Sequence, residues 1–179
     1  LVDLAGEDEQ LRANADGSGQ VELGSPGRDS SAVTIVEVDS RAREGDLTGK
    51  PVYRVARREL WTGEKHSTQY ARLLALVERW QPRRVVVDAS GVGAGVASFL
   101  ADKLGERVIQ LVFTRQLKSR LGWGFLAVVD TGRFQDCLPA DEHGEQGRLR
   151  ALFYRQLEAV AYEVSSSPER SIRWGVPES

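Results

Sequence analysis

Residues 85–98 read VVVDASGVGAGVAS. Three β-branched residues lead straight to Asp88, and a glycine cluster follows. An apolar run without alternation is what a strand covered on both faces looks like. A carboxylate at its end, with glycines clearing the space around it, admits two readings. The glycines cradle a nucleotide phosphate, or the aspartate holds a metal ion. The spacing of Gly91, Gly93 and Gly95 is G-x-G-x-G, not the G-x-G-x-x-G of a dinucleotide-binding turn. Asp88 also stands before the glycines, where it repels a pyrophosphate. No G-x-x-x-x-G-K-[ST] occurs in the chain. Tight helix–sheet packing, or close backbone approach to a ligand, explains the glycines better.

A second stretch has the same shape. Residues 1–4 read as the tail of a strand, and DLAG at 3–6 echoes DASG at 88–91. In a mixed α/β sheet the strand ending at Asp88 is expected to lie beside this first strand, so Asp3 and Asp88 stand side by side, repel each other and raise each other's pKa. A divalent cation relieves that repulsion. Hard oxygen ligands suit Mg²⁺ or Mn²⁺. Two such ions, about 3.5–4 Å apart, clamp the attacking and leaving oxygens of a phosphodiester. The bland alternative is that Asp88 only caps the helix after it. The second strand-terminal aspartate, at position 3, tips the reading toward metal.

Around these two points the chain reads as alternating elements. Residues 31–39 and 52–61 are strands joined by a turn in REGDLTGKP. Tyr70, Leu73, Leu74 and Val77 form the stripe of a helix over 67–80, with Ser67 or Thr68 as cap and Pro82 as stop. The strand at 84–88 comes next, then a helix over 91–104 with Val92, Val96, Phe99, Leu100 and Leu104 on one face. Residues 107–113 form a strand, 119–129 a helix, 148–160 a helix, 165–170 a loop and 171–176 a last strand. The order predicts an α/β fold with a mixed central sheet: three antiparallel strands, then parallel strands, with helices on both faces. Residues 5–28 are polar and glycine-rich, a loop long for a compact domain.

The composition bounds the partners. With 179 residues, the chain suits one domain with a sizeable core. Hydrophobic residues at 41% and charged residues at 28% argue against disorder. A net charge of −2 gives no global pull toward nucleic acid, so any such contact needs a local basic face. Arginine supplies 20 of the 24 basic residues, Asn14 is the lone asparagine and Met is absent, which suits a GC-rich or heat-adapted source. The single Cys137 excludes a disulfide framework. No apolar run approaches the roughly 18 residues of a membrane span, and no signal peptide is seen. The start at Leu1, inside an apolar run, reads as a piece of a longer protein.

The ordered pieces VDLAGEDE, RDSSAVTIVEVD, VVVDASGVGAGVASFL, FTRQLKSRLGWGFLAVVDTGRF, LFYRQLEAVAYEV and SIRWGVPES together resemble the nuclease domain of phage-type terminase large subunits, an RNase H-like fold. The resemblance covers almost the whole chain as one domain, 1–179. It implies an endonuclease that cuts double-stranded DNA with two Mg²⁺ or Mn²⁺ ions, with Asp3 as the first metal-binding acid and Asp88 as the second, shared one. The family's third acid follows a strand like SIRWGVPES and is expected beyond Ser179. Glu178 is the weaker substitute, and Glu7 and Asp8 read as solvated loop carboxylates before they read as ligands. The resemblance also implies an ATPase motor in the same parent chain, portal and small-subunit partners, and a place in the cytoplasm of a bacterial host.

Softer candidates remain. Arg115, Lys118 and Arg120, with Arg133 after them, form a basic cluster that suits phosphate contacts or a solvated helix face. Trp123 and Phe125 suit core packing before base stacking. His66 and His143 suit the surface before ligation, and Cys137 a small buried apolar residue. Two other functions stay open: an actin- or sugar-kinase-like nucleotide-binding domain, which shares the β-β-β-α-β-α start, and a non-catalytic DNA-binding module.

Overall fold

The computed structural model describes residues 30–41, 49–91, 93–141, 143–166 and 168–176, together with the backbone of 2–3. The 5–28 loop, Glu7, Asp8, Val92 and Glu178 lie outside the described residues. The strands are β1 (Val2–Asp3), β2 (Ser30–Asp39), β3 (Val52–Thr62), β4 (Val85–Asp88), β5 (Val108–Leu111), β6 (Phe134–Asp136), β7 (Ala161–Val164) and β8 (Ile172–Gly175). The helices are α1 (His66–Trp80), α2 (Gly93–Leu104), α3 (Arg115–Asp130) and α4 (Glu145–Glu158). Six strands form one sheet in the order β5-β4-β1-β2-β3-β6, and β7 and β8 form a separate antiparallel pair.

The expected arrangement holds in its first part. β1 pairs antiparallel with β2. Ser30 Oγ meets Thr62 Oγ1 at 2.7 Å, while Arg54 meets Asp39 at 3.3 Å, so β2 and β3 also run antiparallel. β4 and β5 add in parallel on the other side of β1. Two features depart from expectation. The three-residue β6 joins the opposite edge, parallel to β3, and the last strand forms a hairpin with β7 instead of extending the sheet. Both were hidden by length. β6 is too short to show a period, and a helix expected to run to 160 leaves little room for β7, which starts at Ala161.

The residues group into two compact units, Leu1–Val33 with Leu60–Val112, and Thr34–Glu59 with Phe113–Ser179. In the first, Val33, Trp61, Leu73, Val85, Val87, Val96, Ala97 and Leu100 form a closed apolar cluster. α1 and α2 supply it through their predicted stripes, and Tyr70 stacks on Phe99 with ring centroids 4.4 Å apart. Each fully buried residue of that size contributes about 1.5–3 kcal/mol. The cap of α1 differs from expectation: Lys65 holds the position without a side-chain cap bond, and Ser67 and Thr68 lie inside the helix. The stop is as read, with Gln81 in the left-handed region ahead of Pro82.

In the second unit, Phe134 of β6 meets Phe125 edge-on at 5.5 Å and Phe153 of α4 at 6.1 Å. Arg133 is not part of a basic surface. It is buried, and its guanidinium donates to the Pro51 and Ala127 carbonyls and to Thr131 Oγ1. Such bonds tie the start of β6 to the start of β3. Cys137 likewise departs from expectation: it is exposed, just past the end of β6, where its N–H pairs with Val55 O.

Candidate functional site

β4 ends on Asp88, and the turn after it is built around that residue. Asp88 Oδ1 accepts the Ser90 N–H at 2.7 Å. The Ala89 N–H donates to Leu111 O of β5 at 2.7 Å, which carries the sheet pairing one residue past the strand. Gly91 has φ +54°, open to glycine at little cost. α2 then begins at Gly93, where a Cβ would lie 2.3 Å from the Asp88 carbonyl oxygen. The glycine therefore serves close packing of the α2 backbone on the Asp88 turn. Gly95 is different: a Cβ there would meet Tyr70 Oη at an ordinary 3.7 Å.

Val2 lies opposite Val87 in the parallel pairing of β1 and β4. The next residue on each strand is an aspartate, so Asp3 and Asp88 close neighbouring strands at the same end of the sheet. Parallel neighbours are spaced by about 4.8 Å. For Asp3 the description stops at the backbone. Asp88 is half-buried, with one carboxylate oxygen held by Ser90 and the other taking no hydrogen bond from the described residues. A fixed carboxylate with an oxygen to spare, hard in character and beside a second strand-terminal aspartate, fits Mg²⁺ or Mn²⁺. Among the described residues no three His, Cys, Asp or Glu side chains gather into a metal-binding group.

The basic candidates lie on α3, in the second unit. Thr114 Oγ1 caps this helix by accepting the Leu117 N–H at 3.1 Å. Arg115, Lys118 and Arg120 are all exposed. Arg115 and Lys118 share a side, whereas the helical repeat turns Arg120 about 140° from Arg115. Ser119, between them, is buried and its Oγ accepts the Ile172 N–H of β8 at 2.9 Å.

The model of the terminase RNaseH-like domain matches residues 26–166. The chain belongs to that family. Two solved structures share the fold of this terminase RNaseH-like domain. One is the large terminase nuclease from thermophilic phage G20c, at 21% identity over 81% of this chain and 73% of that chain, with a TM-score of 0.51. The other is that nuclease with bound magnesium, at 20% identity over 86% and 75%, with a TM-score of 0.52. No curated protein matches. No helix among the described residues is long and apolar enough to cross a membrane.

The remaining candidates of this terminase domain sort by packing. His143 is exposed, as expected. His66 is half-buried, with its ring stacked 6.4 Å from Tyr70, because it opens α1 instead of standing in a free loop. Phe125 packs inward. Trp123 is 42% exposed, not a core residue, and its Nε1 donates to Arg170 O at 3.0 Å. Sequence reasoning passed over Asp136 and the pair Tyr162 and Trp174. Asp136 ends a strand in FQD as Asp88 does in VVVD, and that similarity was the available signal. Tyr162 and Trp174 sit in short β-rich stretches that show no period.

Proposed function

We propose that this chain is the metal-dependent endonuclease domain of a viral DNA-packaging terminase large subunit, cutting double-stranded DNA with the help of two Mg²⁺ or Mn²⁺ ions. The observation that carries the reading is the parallel pairing of β1 with β4, which sets Asp3 and Asp88 at the same end of adjacent strands. Family membership and the magnesium of a fold relative support it. Asp3 and Asp88 would hold the ions. When bound, the ions supply charge neutralisation at the phosphodiester and water acidic enough to attack it near neutral pH. The chain's own share is positional. The Ser90 N–H fixes one Asp88 oxygen, Gly93 lets α2 brace the turn from behind, and Arg115, Lys118 and Arg120 engage phosphates.

The partners that follow are double-stranded DNA, an ATPase motor in the parent chain, and portal and small-subunit proteins in the host cytoplasm. The nucleotide-binding kinase-like reading finds no support in the family match. Nicking of supercoiled plasmid with Mn²⁺ tests the proposal. Asp88→Ala and Asp3→Ala are each expected to lower the rate at least a hundredfold. Cutting that survives Asp88→Ala overturns the reading.

A further inference from the structure

The β7–β8 hairpin carries a surface that the metal site does not use. Its register pairs Tyr162 with Trp174 and Val164 with Ile172, so these four side chains share one face. That face turns toward α3. Ile172 is buried against it, and Trp174 Nε1 donates to Lys118 O at 2.9 Å. The Trp174 ring lies so close to Gly122 that a Cβ there would come within 2.7 Å of its Nε1. β8 thus covers α3, while β7 projects past it. Tyr162 stays 57% exposed and Val164 43%, and Trp174, though anchored, stays 44% exposed. The result is a shelf with a fixed indole at its wall and a tyrosine beside it.

The charge around the shelf points to the occupant. The Trp174 indole bonds the Lys118 carbonyl of α3, and Lys118 and Arg115 are exposed on that same helix. The acidic Glu163 pairs with Arg173 on the opposite face of the hairpin. Aromatic faces on a hairpin packed against a helix with exposed cations suit a chain of phosphates bearing unstacked rings. Paired bases in a duplex are stacked on one another and offer no such face. We propose that Tyr162 and Trp174 form a stacking platform for nucleobases of single-stranded DNA, with Lys118 and Arg115 on its phosphates. The proposal deepens the nuclease reading and rests on it for the choice of DNA as partner.

The test is binding in EDTA, which keeps cleavage out of the measurement. Labelled oligo(dT) and a labelled blunt duplex of equal length are titrated with the chain and followed by anisotropy. Tyr162→Ser, an exposed position, is expected to weaken oligo(dT) binding about tenfold while duplex binding changes less than twofold. Lys118→Gln is expected to weaken both about equally. Glu163→Gln, on the far face, is the control, and circular dichroism checks the fold of each variant. Equal losses on both DNAs for Tyr162→Ser, or no loss, overturns the platform. So does a dimer of the unaltered chain that Tyr162→Ser dissolves, since the face is then covered by a second copy. Plasmid nicking by the unaltered chain and by Asp88→Ala judges the nuclease reading separately.

Discussion

Gly93 and Gly95 look alike in the sequence and do different work. A methyl group at 93 would collide with a backbone oxygen that is itself part of the sheet end. Gly93→Ala is therefore expected to destabilise the chain by about 1–3 kcal/mol and to weaken Mn²⁺ binding, measured by thermal unfolding and calorimetric titration. Gly95→Ala adds a methyl at ordinary contact distance from Tyr70 Oη inside a helix and is expected to stabilise by about 0.5–1 kcal/mol. Asp39 gives a separate test. The Arg41 backbone N–H, then the Arg41 and Arg54 guanidinium groups, hold its carboxyl below the ordinary value of 3.8. A depressed carboxylate stabilises the fold above its unfolded pKa and loses that contribution as pH falls through the folded one. Melting temperatures of Asp39→Asn are expected to fall below those of the unaltered chain at neutral pH and to converge with them as the pH falls through the lowered folded-state pKa of Asp39. The exposure of Arg41 keeps the difference small.

The edge strand β6 is too short to hold by its ladder alone, and a buried ion pair secures it. Asp136 leaves only 2% of its side chain exposed and lies 2.9 Å from Arg58 Nη1 of β3. The two charges touch without a well-aimed N–H, so neither atom is hydrogen-bonded. Support comes from around them. Asp136 Oδ1 accepts the Leu138 N–H at 3.2 Å, Arg150 Nε of α4 stands at 3.8 Å, and the Arg58 guanidinium lies 4.3 Å over the Phe153 ring. Gln146 bonds both the N–H and the carbonyl of Arg58. Arg58→Ala would leave a buried carboxylate with only Arg150 near it. It is expected to cost about 3–5 kcal/mol by denaturant unfolding, and Asp136→Asn added to it is expected to restore part of the loss. The β7–β8 hairpin is secured by other means: Ser119 bonds its backbone, and Gly122 makes room for Trp174.

For the chain as a whole, a net charge of −2 means that attraction to DNA cannot be general. It has to come from a few cations placed together, and the exposed ones on α3 are candidates whose side chains make no bond among the described residues. Replacing Arg115, Lys118 and Arg120 together by Gln is expected to reduce the slope of log K against log salt for duplex DNA by about three units, roughly one per phosphate contact. Folding stability is expected to stay within about 0.5 kcal/mol. A slope unchanged by the triple substitution would place the DNA contact elsewhere. Arg133, read beside these three in the sequence, belongs to the opposite case: its bonds to Pro51, Ala127 and Thr131 make it part of the fold.

The readable part of this protein was local. Branched residues ending in Asp88, the stripes of α1 and α2, and the breaks at Pro82 and Gly91 all express periods and turn chemistry within one segment, and so the main strands and helices were legible. Beyond single segments, the order of elements also put β1 beside β4, as the pairing of Val2 with Val87 bears out. Two things were not legible: that β6 closes the far edge and that β7 and β8 leave the sheet are pairings between distant segments, chosen by what each face can bury. The same holds for Arg133, Cys137 and Tyr162. Whether an arginine is a surface charge or a structural clamp, or an aromatic is core or platform, depends on which neighbours folding delivers, and no spacing along the chain records that.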